Sequence, residues 1–162
     1  MKTNNLTFIL IIFFTAFIFS SCQKSIFHLD GETDYLIFGS SYGMCQGDCS
    51  NSYLLKSDGV YKSKTYIRNG DKNSFTEKLS NEKFQQIKTI SNSIPAELIN
   101  YKKNEESFGC PDCADQGALY LEIVRSGKAP KVFRIDTNTG DLPEYLQKTA
   151  LEIKEAIKIA QN

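Results

Sequence analysis

Five cysteines punctuate the 162-residue chain, and four of them fall into two close pairs, Cys45 with Cys49 and Cys110-Pro111-Asp112-Cys113. Pairs at these spacings can do three kinds of chemistry. As a dithiol, a C-P-x-C pair exchanges with disulfides when its first thiolate is stabilised at a helix N-terminus, which lowers the thiol pKa. The sequence withholds that helix, because Cys113 is followed by Ala114-Asp115-Gln116-Gly117 and then a β-rich run. Asp112 and Asp115 would moreover raise a neighbouring thiol pKa through like-charge repulsion. As metal ligands, four thiolates suffice for a tetrahedral structural zinc, although an oxidising compartment favours bridges over metallation. As disulfides, four cysteines allow three pairings. A local bridge closing about four residues contributes roughly 2 kcal/mol, and one joining the two loops across about 65 residues roughly 4. Local pairing needs no spatial coincidence and forms first, so Cys45–Cys49 and Cys110–Cys113 are the expected bridges.

The rest of the chemical inventory is thin. Asp48, Asp112 and Asp115 flank the cysteines without the alternating D-x-D-x-D pattern and closing Glu of a calcium loop, so they read as turn-forming side chains. The single histidine, His28, lies in a polar stretch ahead of the first strand, which leaves no base for a Ser-His or Cys-His nucleophile. No P-loop, dinucleotide-binding glycine turn or H-E-x-x-H helix is present. Glu105-Glu106 is a carboxylate pair in a polar loop with nothing to desolvate it. With 19 basic and 19 acidic side chains and no basic stripe, nothing argues for nucleic acid. No catalytic residue, metal or cofactor is expected. The tyrosines at 42, 53, 61, 66 and 101 read mainly as core, with room for an exposed patch.

Around the cysteine loops the pattern alternates between strands and helices. Tyr35-Leu36-Ile37-Phe38 opens a strand, and Gly39 to Ser52 reads as loop. Tyr53-Leu54-Leu55 and Val60 to Ile67 then form a hairpin about the Ser57-Asp58-Gly59 turn, with Asn69-Gly70-Asp71 as its exit. From Ser80, a candidate N-cap, Phe84, Ile87, Ile90 and Ile94 recur at helical spacing until Pro95. Residues 101–106 read as loop. Beyond the second cysteine loop, Ala118 to Val124 and Val132 to Ile135 form another hairpin about Ser126-Gly127-Lys128. Asp141, Pro143 and Glu144 look like a capping box for a final amphipathic helix that buries Leu142, Leu146, Ile153, Ile157 and Ala160. The expected architecture is α+β: an antiparallel sheet of about five strands, two hairpins plus an N-terminal strand, covered by two helices. The order cysteine loop, hairpin, helix occurs twice; a ββα duplication and coincidence both fit.

The N-terminal residues are of another kind. Lys2 precedes an almost wholly apolar run from Leu6 to Phe19, shorter than a comfortable membrane span. The run ends in Phe19-Ser20-Ser21-Cys22. This resembles the lipobox of bacterial lipoproteins, in which the cysteine becomes the acylated (palmitate-bearing) first residue of the mature chain. The match departs from the usual pattern by Phe19 in place of Leu and Ser21 in place of Gly or Ala. The expected organisation is a signal peptide over 1–21, lipidation at Cys22, a tether over 22–33 and one domain over 34–162.

Two further resemblances rest on the cysteine loops. The Tyr42-Gly43-Met44-Cys45-Gln46-Gly47-Asp48-Cys49 segment, with Tyr53 and a Ser-Asp-Gly turn after it, is similar to an uncharacterised bacterial family, often lipoproteins, with a G-x-C-x-G-x-C segment before a hairpin; it covers residues 35–95. Cys110-Pro111-Asp112-Cys113-Ala114-Asp115-Gln116-Gly117 resembles a motif in hypothetical lipoproteins of the Bacteroidetes group, over 108–137. Neither implies a reaction. The expectation is a non-enzymatic, lipid-anchored protein of the bacterial cell envelope, periplasmic or surface-exposed, that binds or scaffolds an envelope partner. One alternative is a thiol–disulfide redox protein using Cys110 and Cys113, whose C-P-x-C form resembles that of oxidoreductases. Another is an inhibitor or immunity-like lipoprotein.

Overall fold

The computed structural model describes residues 27–30, 33–43, 46, 49–63 and 72–162. Its strands are β1 (Tyr35–Ser41), β2 (Ser50–Lys56), β3 (Gly59–Ser63), β4 (Phe75–Lys78), β5 (Glu105–Phe108), β6 (Ala118–Val124) and β7 (Lys131–Asp136). Its α-helices are α1 (Asn81–Ile87), α2 (Ala96–Ile99) and α3 (Glu144–Gln161). The strands form one sheet in the order β4-β3-β2-β1-β6-β7-β5, antiparallel except for β5 beside β7. The α+β class is as expected, with seven strands and three helices among the described residues in place of five and two.

The central strand β1 has both faces buried, which is why Tyr35-Leu36-Ile37-Phe38 is continuously apolar rather than alternating. On one face Leu36, Phe38, Leu55, Leu121 and Phe133 pack with the helices in the main core. On the other, Tyr35, Ile37, Leu54, Phe75 and Tyr120 form a second buried cluster.

The main core draws its helical half from three segments. Ser80 caps α1 as expected, its hydroxyl accepting from the Lys83 N–H at 3.3 Å. The run then tightens into a 3-10 helix, Lys88–Ser93, still burying Ile90. Pro95 does not end the helical region; it occupies the N-cap of α2. In α3, Leu146, Ala150, Ile153, Ile157 and Ala160 recur every three or four residues and are all buried. The expected Asp141 cap is not formed. Asp141 belongs to a 3-10 turn, Thr139–Asp141, capped by Asn138, and Pro143 sits at the α3 N-cap without a side-chain bond. Thr149 of α3 donates to the buried Ser93 carbonyl at 2.6 Å, fixing the helices against each other.

Two expected loops carry structure. Residues 105–108 form the edge strand β5, where Phe108 meets Tyr101, Phe133 and Tyr145 ring against ring. Within the expected 22–33 tether, Phe27 is 3% exposed and belongs to the core, and Leu29 packs on it, while His28 is exposed. The leader, with the Cys22 expectation, and the hairpin residues 64–67 lie outside the described residues. No helix among the described residues is long and apolar enough to cross a membrane.

Candidate functional site

Strand register decides where the cysteine loops lie. Ser41, the last residue of β1, is opposite Ser50 on one side and Ala118 on the other. Both loops therefore rise from the same end of the sheet as neighbours. Cys110 and Cys113 are disulfide-bonded to each other, as expected, with Cα atoms 5.5 Å apart. Cys49 is also disulfide-bonded; Cys45, its expected partner, and Asp48 lie outside the described residues. Pairing within the second loop excludes a bridge between the two loops through Cys110 or Cys113.

The loops are joined by a carboxylate instead. Asp112 accepts from the Gly43 N–H of the first loop through Oδ2 and from the Gly117 N–H of its own loop through Oδ1, each at 3.0 Å. Its own N–H donates to the Gly117 carbonyl at 3.1 Å. Asp112 and Asp115 hold φ of 64° and 57°, between Gly109 at 72° and Gly117 at 79°. Aspartate tolerates this left-handed region better than most side chains, so the turn-forming reading of these acids explains their conformation. Glycine is needed at 117 for a second reason: a Cβ there would come within 2.5 Å of the Tyr42 ring.

A second carboxylate anchors the other side of the turn. Asp136, the last residue of β7 and 3% exposed, accepts from the Cys110 N–H at 2.7 Å and the Asn138 N–H at 2.8 Å. Burial works to raise its pKa, but those two bonds and the Gln116 amide outweigh it, and the carboxyl sits below its ordinary range. Gln116 ties the turn inward, accepting from the Ala114 N–H and donating to the Cys110 carbonyl. Sequence reading missed Asp136 as a member of this site. The only signal was an acid closing the hairpin that follows the Cys110 loop, ahead of the 3-10 turn that leads into α3.

These features bear on thiol chemistry. Cys110 and Cys113 are both exposed, so the bridge is accessible. No helix starts at the turn, and the carboxylate held on the Cys110 backbone is of the sign that disfavours a thiolate. The acids and amides around the bridge fold the loop and are committed largely to backbone groups.

Beside this stapled wall lies a groove of about 460 Å³, within the range of small-ligand sites. The strand pair Ser40 and Leu119, opposite each other in the sheet, meets Lys154 and Ile157 of α3 there. Tyr42, 44% exposed, and Gln116, Thr137 and Asn138 complete the lining. Gln116 and Asn138 spend their amides internally, Asn138 on Asp141 and the Gly140 N–H. The groups left to greet a ligand are the Ser40 and Tyr42 hydroxyls and the Lys154 ammonium, over an apolar Leu119–Ile157 base. Lys154 donates to the Thr137 carbonyl at 3.4 Å and enters no ion pair among the described residues, which leaves two donors over. Among the described residues no cluster of three or more His, Cys, Asp or Glu side chains is arranged to hold a metal ion. Comparison with protein-family models, with curated proteins and with solved structures finds no match in any of the three.

Proposed function

We propose that this chain is a non-enzymatic binding protein of the bacterial cell envelope, lipid-anchored through Cys22 and presenting the groove beside its cysteine loops to an envelope partner. The observation that supports a binding role is the groove's construction. Asp112 stitches the two loops together and Asp136 anchors the second to the end of β7, which makes a fixed wall, and one cation and two hydroxyls are left facing an apolar base. Fixed walls with few free polar groups suit recognition of a shaped, weakly anionic surface. The lipobox-like Phe19-Ser20-Ser21-Cys22 supports the anchor. A ββα duplication would account for two hairpins that flank β1 from the same starting register.

The accessible Cys110–Cys113 bridge favours, as a second reading, a thiol–disulfide redox protein; the surrounding carboxylates weigh against it. Photocross-linking in intact envelopes tests the binding reading. A benzophenone side chain replacing Tyr42 in the full chain is expected to give a defined adduct that Lys154→Glu abolishes. The same group replacing exposed Leu151, on the outer side of α3, is expected to give none. No adduct at position 42, or equal adducts at both, would refute the groove as the binding surface. An adduct with a hydrolase or toxin would assign the inhibitor or immunity-like role.

A further inference from the structure

The end of the sheet opposite the cysteine loops carries a cavity lined by three cations and, among the described residues, by no carboxylate. Its volume is about 350 Å³ and it opens beside the β6–β7 turn, where Arg125, Lys128 and Lys131 line it together with Tyr101 and Asn104. Arg125 and Lys128 enter no ion pair among the described residues, and Lys131 Nζ donates to the carbonyl of Tyr101, which lines the same cavity. Three cations lining one cavity concentrate positive potential there, which an anion relieves; the guanidinium adds the fork geometry that suits phosphate oxygens.

The tether reaches the fold at this same place. Phe27 is buried there, and a second cavity lined by Phe27, His28, Asp34 and Arg125 shares Arg125 and Ile99 with the first. Asp34 accepts from the Ser126 N–H at 2.7 Å, which pins the start of β1 to the turn; Asp30 and Asp34 are the acids of this second cavity. Cys22 precedes Phe27 by five residues, so a lipid on it lies within about 17 Å of Phe27 even at full extension. The seven residues of β1 separate this end from the groove by about 20 Å.

We propose that the Arg125–Lys128–Lys131 pocket binds the phosphate of a membrane lipid headgroup, seating the domain on the bilayer with its groove facing away. The orientation rests on the lipid-anchor reading above; the phosphate site rests on the three cations alone. Inorganic or esterified phosphate free in solution shares the chemistry, and the test separates the sources.

The full chain is placed in phosphate-free maltoside micelles, in vesicles of phosphatidylcholine alone, or in vesicles of equal parts phosphatidylcholine and phosphatidylglycerol, and its lysines are labelled with an amine-reactive reagent read by mass spectrometry. Lys128 and Lys131 are expected to be protected about five-fold in the anionic vesicles relative to the micelles, while Lys154 and Lys158 label equally in all three. In R125Q/K128Q the protection of Lys131 is expected to vanish. Equal labelling of Lys128 and Lys131 in every condition would overturn the site. Protection by soluble glycerol phosphate, with none added by anionic vesicles, would overturn the membrane source in favour of a soluble phosphate ligand. The same digest reports the acyl mass on the Cys22 peptide. Protection without that mass supports the pocket and refutes the anchor; acyl mass without protection refutes the pocket and leaves the anchor standing.

Discussion

Asp112 and Asp115 sit three residues apart in the same turn, in the same left-handed conformation, yet among the described residues only Asp112 bridges the two loops. Replacing each by glycine keeps the conformation cheap and isolates the carboxylate. D112G is expected to lose about 3 kcal/mol of unfolding free energy, two bonds to an ionised acceptor at the low end for a half-buried site, roughly 1.5 kcal/mol each. D115G is expected to stay within about 1 kcal/mol of wild type. Urea unfolding of the pair decides it, and equal losses would refute the bridging role.

Two other acids should leave opposite signatures in pH. Asp136 titrates below its ordinary value, so its contribution is present above the unfolded carboxyl pKa of about 3.9 and is lost as pH falls through the lower folded value. The destabilisation caused by D136N is therefore expected to be largest at neutral pH and to shrink in acid. Glu122, 2% exposed on the second face of the sheet, is raised by burial, against the opposing bond from the Tyr120 hydroxyl. Its contribution is present below an unfolded pKa of about 4.3 and is lost as pH rises through the higher folded value. E122Q is accordingly expected to gain on wild type as pH rises from about 4 towards neutrality. Thermal melts carried from neutrality to well below about pH 3.9 check both, the upper part of the range reporting E122Q and the lower part D136N; curves parallel to wild type in a variant's own part would contradict its assignment.

Among the elements, the long amphipathic ones were legible and the short marginal ones were not. The α3 stripe, the Ser80 cap and both hairpin turns follow from spacing and turn residues alone. Strand β5 was hidden because Glu105-Glu106-Ser107-Phe108 is an edge that buries only Phe108, so its membership depends on parallel pairing with a strand far along the chain, Glu105 opposite Val132. Strand β4, Phe75-Thr76-Glu77-Lys78, likewise buries only its phenylalanine. The strand residues Gly39-Ser40-Ser41 and Ser50-Asn51-Ser52 read as loop because small polar side chains carry no strand signal. At Gly39 the small residue is required by crowding, since a Cβ there would collide with the Asn51 carbonyl. What no pattern reveals is the tie between helices. T149V leaves the buried Ser93 carbonyl without its donor and is expected to cost about 1–3 kcal/mol with little change of volume. A urea midpoint unchanged in T149V would show that water or a neighbour replaces the hydroxyl.

At the scale of the whole molecule, one sheet separates two ends of different character. Three cations and the tether lie at one, and the stapled cysteine loops and the groove lie at the other. The cysteine pairs were plain from spacing, but their setting was not. That they rise side by side follows from β2 and β6 both pairing with β1, and the acid that anchors Cys110 comes from 26 residues downstream. The groove was invisible for the same reason, since its lining is gathered from β1, both loops, the start of β6, the residues after β7, and α3. Whether that loop is a wall or a redox centre turns on the stability of its bridge. A catalytic dithiol is easily reduced because its thiolate is stabilised, whereas carboxylates at Asp112 and Asp136 disfavour the thiolate and keep the bridge closed. Equilibrating the full chain against graded glutathione buffers, trapping free thiols by alkylation and weighing the Cys110–Cys113 peptide measures this directly. The bridge is expected to stay closed at poises that reduce catalytic dithiols, with insulin reduced no faster than by buffer alone. A bridge that opens readily and accelerates insulin reduction would contradict the structural role and make the loop an active site.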